Sequence, residues 1–157
     1  MLCKDIMNKK IITCFLSTKV EDVAKKMKEH DIGYIPIVFD DKKTIAGVIT
    51  DRDIVTRIIA QGKDTSMEIS AFITRNFVSV FEDDDVSIAL SKMADFQLKR
   101  ILVVDNDYYL KGIISLKDIS LHKYTNSYLN DLMKEISMPN PQVNKPQEFL
   151  KCDDFPL

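Results

Sequence analysis

The sequence predicts an α/β (α+β) protein of two tandem βαββα units. Three observations predict it: an internal duplication, short apolar strands set between amphipathic helical stripes, and a strand-to-helix corner that occurs twice. That corner reads "GVITDRD" at 47–53 and "GIISLKD" at 112–118. Laying Val86 on Val20 carries Lys26 to Lys92, Met27 to Met93, Ile35 to Ile101 and Val38 to Val104, an offset of 66. A one-residue deletion after that strand shortens the offset to 65, which carries Gly47 to Gly112, Ile49 to Ile114 and Asp53 to Asp118. The chain is therefore expected to divide into repeat 1 (1–64), repeat 2 (65–128), a last helix at 129–138 and a proline-rich tail at 139–157.

Each unit opens on a short apolar strand, "IITCF" at 11–15 and "FVSVF" at 77–81. A helix follows. Val20, Val23, Ala24 and Met27 fall at i, i+3, i+4 and i+7, and Val86, Ala89, Leu90 and Met93 repeat the stripe. Thr18 and Glu21 have the spacing of a capping box, and the acidic run Glu82–Asp85 supplies negative charge where the second helix begins. Two further strands come next, "GYIPIVF" with "TIAGVIT" and "RILVV" with "LKGIIS". Each pair runs into a helix, starting near Asp51 and near Leu116, with Gly62 as a stop for the first. Strands this apolar need helices over them. A unit of about 60 residues is marginal alone. The two units are expected to cover each other, with pseudo-twofold symmetry and a cleft between them.

Composition narrows the function classes. The chain has 157 residues, 45% hydrophobic and 29% charged, with a net charge of −2 and acids interleaved with lysines. This is the make-up of a globular protein with a real core, and it lacks the basic stripe of a nucleic-acid surface. No apolar run reaches a membrane span or a signal peptide, so the cytoplasm is the expected location. Cys3, Cys14 and Cys152 are too widely spaced for a metal site or a disulfide framework, and His30 and His122 have no partner at ligand or relay spacing. Neither a metal nor an obligatory cofactor is expected, and no catalytic constellation presents itself.

The repeated corner has two physical uses. Thr50 with Asp53, and Ser115 with Asp118, are capping boxes in which the hydroxyl residue is N-cap and the carboxylate sits at N3. The same corner, at the start of a helix, suits a phosphate, with the carboxylate placed to accept hydrogen bonds from a ribose diol. Arg52 and Lys117 add cations beside that position.

With these residues in place, the unit resembles a CBS domain, named after cystathionine β-synthase, and the tandem resembles a Bateman module. "DIGYIPIVFDDKKTIAGVITDRDIV" is similar to the family's x-x-h-P-h-h strand, turn, and G-h-h-T-x-x-D-h. "LKRILVVDNDYYLKGIISLKDIS" repeats it with Leu102 in place of Pro36 and Leu116 in place of Asp51. The resemblance covers about 1–125. It implies a non-catalytic regulatory module that binds AMP, ADP or ATP, the last with magnesium, or S-adenosylmethionine. By that resemblance Asp53 and Asp118 hold ribose, while Thr50, Ser115, Arg52, Lys117, Lys99 and Arg100 face phosphate. Ile12, Thr13, Tyr34, Ile35 and Pro36 lie against the base, as do Val78, Ser79, Ile101 and Leu102 in the second copy. Because Tyr34 stands where the second copy has Arg100, the two sites are not expected to bind equally.

The resemblance also implies a disk-like homodimer formed through helices, for which Ile54, Ile58, Ile59 and Ile119 are the apolar positions expected to need cover. The tail, holding Pro139, Pro141, Pro146 and Pro156 and ending "CDDFPL", reads as a strap, a mobile segment or a docking element for a protein target. Two other readings compete. One is a structural module with no ligand. The other is an enzyme of the IMP dehydrogenase kind, which would need a barrel of about 250 residues that this sequence lacks.

Overall fold

The computed structural model describes residues 1–121 together with 131, 134, 135 and 138. The tail 139–157 lies outside the described residues, as does most of the expected last helix, of which 131, 134 and 135 are helical. Two compact units are present. One is Ile12–Phe77; the other joins Met1–Ile11 to the segment that begins at Val78.

In the Ile12–Phe77 unit, β1 (Cys14–Phe15) runs parallel to β2 (Tyr34–Val38), which pairs antiparallel with β3 (Ile45–Thr50). In the other unit β4 (Ser79–Phe81), β5 (Arg100–Val104) and β6 (Leu110–Ser115) repeat this order and these directions. The registers repeat as well. Tyr34 lies opposite Thr50 as Arg100 lies opposite Ser115, and both ladders bulge at the same step, after Ile37 and after Val103. The first strands are shorter than their apolar runs: 11–13 and 77–78 approach the sheet without pairing.

Helix α2 (Val20–His30) buries Val20, Val23 and Met27 over the first sheet, with Ile35, Ile37 and Ile49 beneath. Helix α4 (Val86–Asp95) buries Val86, Ala89, Leu90 and Met93 over Ile101, Val103 and Ile114. The expected box between Thr18 and Glu21 does not form. Lys19 is the N-cap, in extended conformation, and the Thr18 hydroxyl instead accepts the Phe15 N–H at 3.0 Å, holding the strand end. At the second helix Asp85 caps as its position suggests, accepting the Ser87 N–H at 2.9 Å. Both helices end alike. Asp31 and Gln97 adopt left-handed φ of 52°, and Ile32 and Leu98 donate back to Met27 and Met93 at 3.0 and 2.8 Å.

The compact units regroup the repeats. Val48 of β3 exchanges backbone hydrogen bonds with Thr74, at 2.9 and 2.8 Å. Ile113 of β6 does the same with Asn8, at 3.1 and 2.9 Å. The short helix α1 (Cys3–Ile6) and the turn at Ile69–Ala71 each plug a core, with Cys3 and Ile69 fully buried. Each unit is therefore closed by the opening residues of the other repeat. The glycine of each corner permits this: a Cβ on Gly47 would lie 2.7 Å from the Thr74 carbonyl oxygen, and one on Gly112 would collide with the Met7 side chain.

Cys3 and Cys14 are small core hydrophobes. Burial pushes the Cys3 thiol up to about 11 and raises that of Cys14 as well, which keeps both protonated and unreactive. Cys152 lies outside the described residues.

Gly47→Ala is expected to cost about 1–3 kcal/mol, since backbone must move to make room. Gly112→Ala should cost a similar amount, because Met7 Cβ, which turning the side chain does not move, would lie 2.9 Å from the new methyl, and paired denaturant titrations of the two variants test this. The Asp85 carboxyl is drawn down to about 2, chiefly by the Ser87 N–H. A depressed folded value means that its contribution is complete above the ordinary 3.8 and disappears as pH falls toward about 2. Asp85→Asn should therefore flatten the acid limb of a stability-against-pH profile over that interval and leave the neutral region parallel to wild type.

Candidate functional site: two strand-to-helix corners

At the end of β3 the chain turns directly into a helical run. It begins with α3 (Asp51–Asp53), widens to a π turn at Ile54–Ile58, tightens at Ile59–Gln61, and stops at Gly62 with φ 63°. The Thr50–Asp53 capping box is complete. The Asp53 N–H donates to the Thr50 hydroxyl oxygen at 3.1 Å, and Asp53 Oδ2 accepts both the Thr50 N–H at 3.0 Å and the Thr50 hydroxyl at 2.7 Å. Oδ2 is thereby saturated. The other oxygen, Oδ1, takes the Arg57 guanidinium at 3.2 Å. Arg57 is anchored twice more, donating to the Phe72 carbonyl at 3.2 Å and to Thr74 Oγ1 at 3.0 Å. It thus ties the corner carboxylate to the strand that closes the unit.

The second corner, where β6 enters α5 (Leu116–Leu121), repeats the exchange. Asp118 Oδ2 accepts the Ser115 N–H at 2.8 Å and its hydroxyl at 2.5 Å, and the Asp118 N–H returns to the hydroxyl at 3.3 Å. Asp118 Oδ1 has no partner among the described residues. The position matching Arg57 is His122, outside the described residues.

Each unit brings its expected site residues to one end of one sheet. Thr13 sits one residue before the Cys14–Ile37 pair, beside Pro36, as Ser79 pairs with Leu102. Tyr34 and Arg100 face Thr50 and Ser115 across the ladder. Ile35 and Ile101 are turned into the cores, so only their backbone groups are available to a ligand. Ile12, Thr13, Val78 and Ser79 are half-buried, whereas Arg52, Lys99, Arg100 and Lys117 are exposed. The hydroxyl protons of Thr50 and Ser115 are directed at the carboxylates, so a phosphate contact by either requires the hydroxyl to turn.

Three contributors escaped the sequence reading. Lys26 donates to the Thr13 carbonyl at 3.2 Å, and Lys92 to the Ser79 carbonyl at 2.8 Å, each pinning the first strand to its helix. The duplication held the signal, since it carries Lys26 onto Lys92 at the margin of an apolar stripe. Arg57 had no such signal, because only the fold brings it to Phe72 and Thr74. Among the described residues no group of three or more His, Cys, Asp and Glu side chains could hold a metal ion, and no helix is long and apolar enough to cross a membrane.

Two matched βαββα repeats with a hydroxyl–carboxylate corner apiece define a tandem-repeat module of the CBS type. The CBS domain pattern matches residues 3–60 and 69–122, and the chain belongs to that family. It is 40% identical to the Bacillus subtilis protein YlbB over 134 residues, 85% of this chain and 90% of that one. Among solved structures it is similar to the CBS domain pair of protein MJ0100 in complex with 5′-methylthioadenosine and S-adenosyl-L-methionine. That likeness is 32% identical at TM-score 0.69, and it covers 78% of this chain and 94% of that one. It shares the fold of protein PAE2072 from Pyrobaculum aerophilum, solved with AMP, at TM-score 0.72 and 20% identity over 85% of this chain and 99% of that one.

Thr50→Ala removes the cap and one of the two donors on Asp53 Oδ2, and should cost about 1 kcal/mol. Thr50→Ser should restore nearly all of it, as read by urea unfolding of the three proteins.

Proposed function

We propose that this protein is a non-catalytic sensor of adenosine-containing ligands, with AMP, ADP and ATP as the first class. The observation that carries this reading is the pair of corner carboxylates. Each is immobilised through one oxygen by its own hydroxyl residue, at the end of a sheet; the second oxygen of Asp118 has no partner among the described residues, and that of Asp53, which takes one contact from Arg57, keeps a further lone pair for a ribose diol. Asp53 and Asp118 take the ribose; the base lies along the first strand and the Tyr34–Pro36 or Arg100–Leu102 segment; Lys99, Arg100 and Lys117 meet phosphate. The adenosine compounds bound to the MJ0100 pair, at 32% identity, support this ligand class. They also favour a second reading, in which S-adenosylmethionine or a related thioether is the ligand.

A module of this kind works by being stabilised in one state by its ligand and reporting that state to a partner protein in the cytoplasm, for which the tail is a candidate contact. The homodimer expectation needs other residues than those first singled out. Ile54, Ile58 and Ile119 are core residues, and of that set only Ile59 is exposed, at 59%. Val55, 54% exposed on the same run, joins it as the apolar surface available to a second copy.

A thermal-shift panel of AMP, ADP, ATP and S-adenosylmethionine, with and without magnesium, tests the reading. A ligand at about 100 times its dissociation constant adds about 2.7 kcal/mol of stability, which is a rise of roughly 5–10 °C for a chain of this size. The rise should vanish in Asp53→Asn/Asp118→Asn. A midpoint that no ligand moves would reduce the corners to caps.

A further inference from the structure

The two corners share a carboxylate and differ in nearly every charge around it. At the first, Asp51 adds a second carboxylate, which already accepts the Arg52 N–H at 2.7 Å. Gly33 and Tyr34 begin the facing strand, and of the two arginines Arg57 is committed to Asp53, Phe72 and Thr74. Two carboxylates are thus balanced by two cations, one of them occupied. At the second corner Leu116 replaces Asp51, and Lys99 and Arg100 replace Gly33 and Tyr34. The Leu116 N–H binds the Lys99 carbonyl at 3.2 Å and Arg100 lies opposite Ser115, so both cations stem from backbone that touches the corner. With Lys117 they set three cations against one carboxylate. None of the three has a side-chain hydrogen bond or ion pair among the described residues.

We infer that the two corners, read as adenosine sites as proposed above, take ligands of different charge. The Ser115–Asp118 corner takes an adenosine ligand that carries phosphates. The Thr50–Asp53 corner takes one without phosphate, neutral or sulfonium. Three exposed cations with no partner among the described residues, on backbone next to one corner, attract a polyphosphate, and that attraction is screened by salt. At the first corner the Asp51 carboxylate occupies the N–H that an anion would use and repels any phosphate brought close. A thioether or sulfonium group has no such conflict, and beside a carboxylate the sulfonium gains.

Calorimetric titration of ADP and of 5′-methylthioadenosine tests the division on wild type, Asp53→Asn, Asp118→Asn and Lys99→Gln/Arg100→Gln. ADP affinity should fall by about 10-fold or more in Asp118→Asn and in Lys99→Gln/Arg100→Gln, and stay within about 2-fold in Asp53→Asn. Methylthioadenosine should show the reverse, with Asp53→Asn alone weakening it. In wild type, raising salt from about 0.05 to about 0.3 M should weaken ADP and leave methylthioadenosine unchanged. Retained binding of the other ligand proves each variant folded, and the exposed Lys99 and Arg100 positions decide the matter should Asp118→Asn not fold. Loss of ADP with Asp53→Asn, dependence of both ligands on one carboxylate, or indifference of ADP to the Lys99/Arg100 variant overturns the division while leaving the adenosine reading intact. Failure of both ligands to bind wild type overturns that reading and the division with it.

Discussion

The backbone pairing of Val48 with Thr74, and of Ile113 with Asn8, is the interaction on which the rest of this structure depends. A three-stranded sheet with one covering helix leaves a strand edge and part of a core open. In each unit the edge of the last strand is met by a segment borrowed from the start of the other repeat, and the same segment drops Cys3 or Ile69 into the core. A glycine is required where the two backbones approach. Gly47 and Gly112 thus belong to the closure of the units, although in sequence they look like parts of the corner that follows.

The corner is then set by the strand it ends. Thr50 and Ser115 leave the sheet in extended conformation, and the exchange with Asp53 and Asp118 converts a strand terminus into a helix start within one residue. On the proposed adenosine reading, capping and ligand presentation are the same geometry. The hydroxyl and the N–H of the same residue saturate one carboxylate oxygen and fix the rotamer, so the other oxygen has a defined direction, toward Arg57 in the case of Asp53. Loss of the hydroxyl therefore acts on stability through the cap, and loss of the Asp53 charge acts on it through Arg57; on the proposed reading both also act on recognition.

Duplication made the corners alike, and three substitutions separate them. Asp51 against Leu116, Gly33 against Lys99, and Tyr34 against Arg100 turn one corner toward balance and the other toward net positive charge. Arg57 deepens the difference by locking Asp53 to Phe72 and Thr74. Arg57 lies in the π turn four residues after Asp53, and its side chain meets both that carboxylate and the segment that closes the unit.

The sequence by itself determined the duplication, the element order in each repeat, the helical faces, the Gly62 stop and both hydroxyl–carboxylate caps. These follow from local periodicity and from residues three apart, which a chain cannot hide. Only the tertiary structure decided the rest. Thr18 was drawn away from its expected cap by the Phe15 N–H, a choice between two local donors settled by strand placement. Ile54, Ile58 and Ile119, expected to need cover from a second copy, are core, because the helical run after each corner folds back over its own sheet. The regrouping of 1–11 with the second repeat was written in the 66-residue offset that carries Cys3 to Ile69, but it became meaningful only through long-range backbone pairing. Backbone hydrogen bonds between distant segments leave no mark on side-chain patterns, and that is why the closing strands, and Arg57 reaching them, had to be seen in three dimensions.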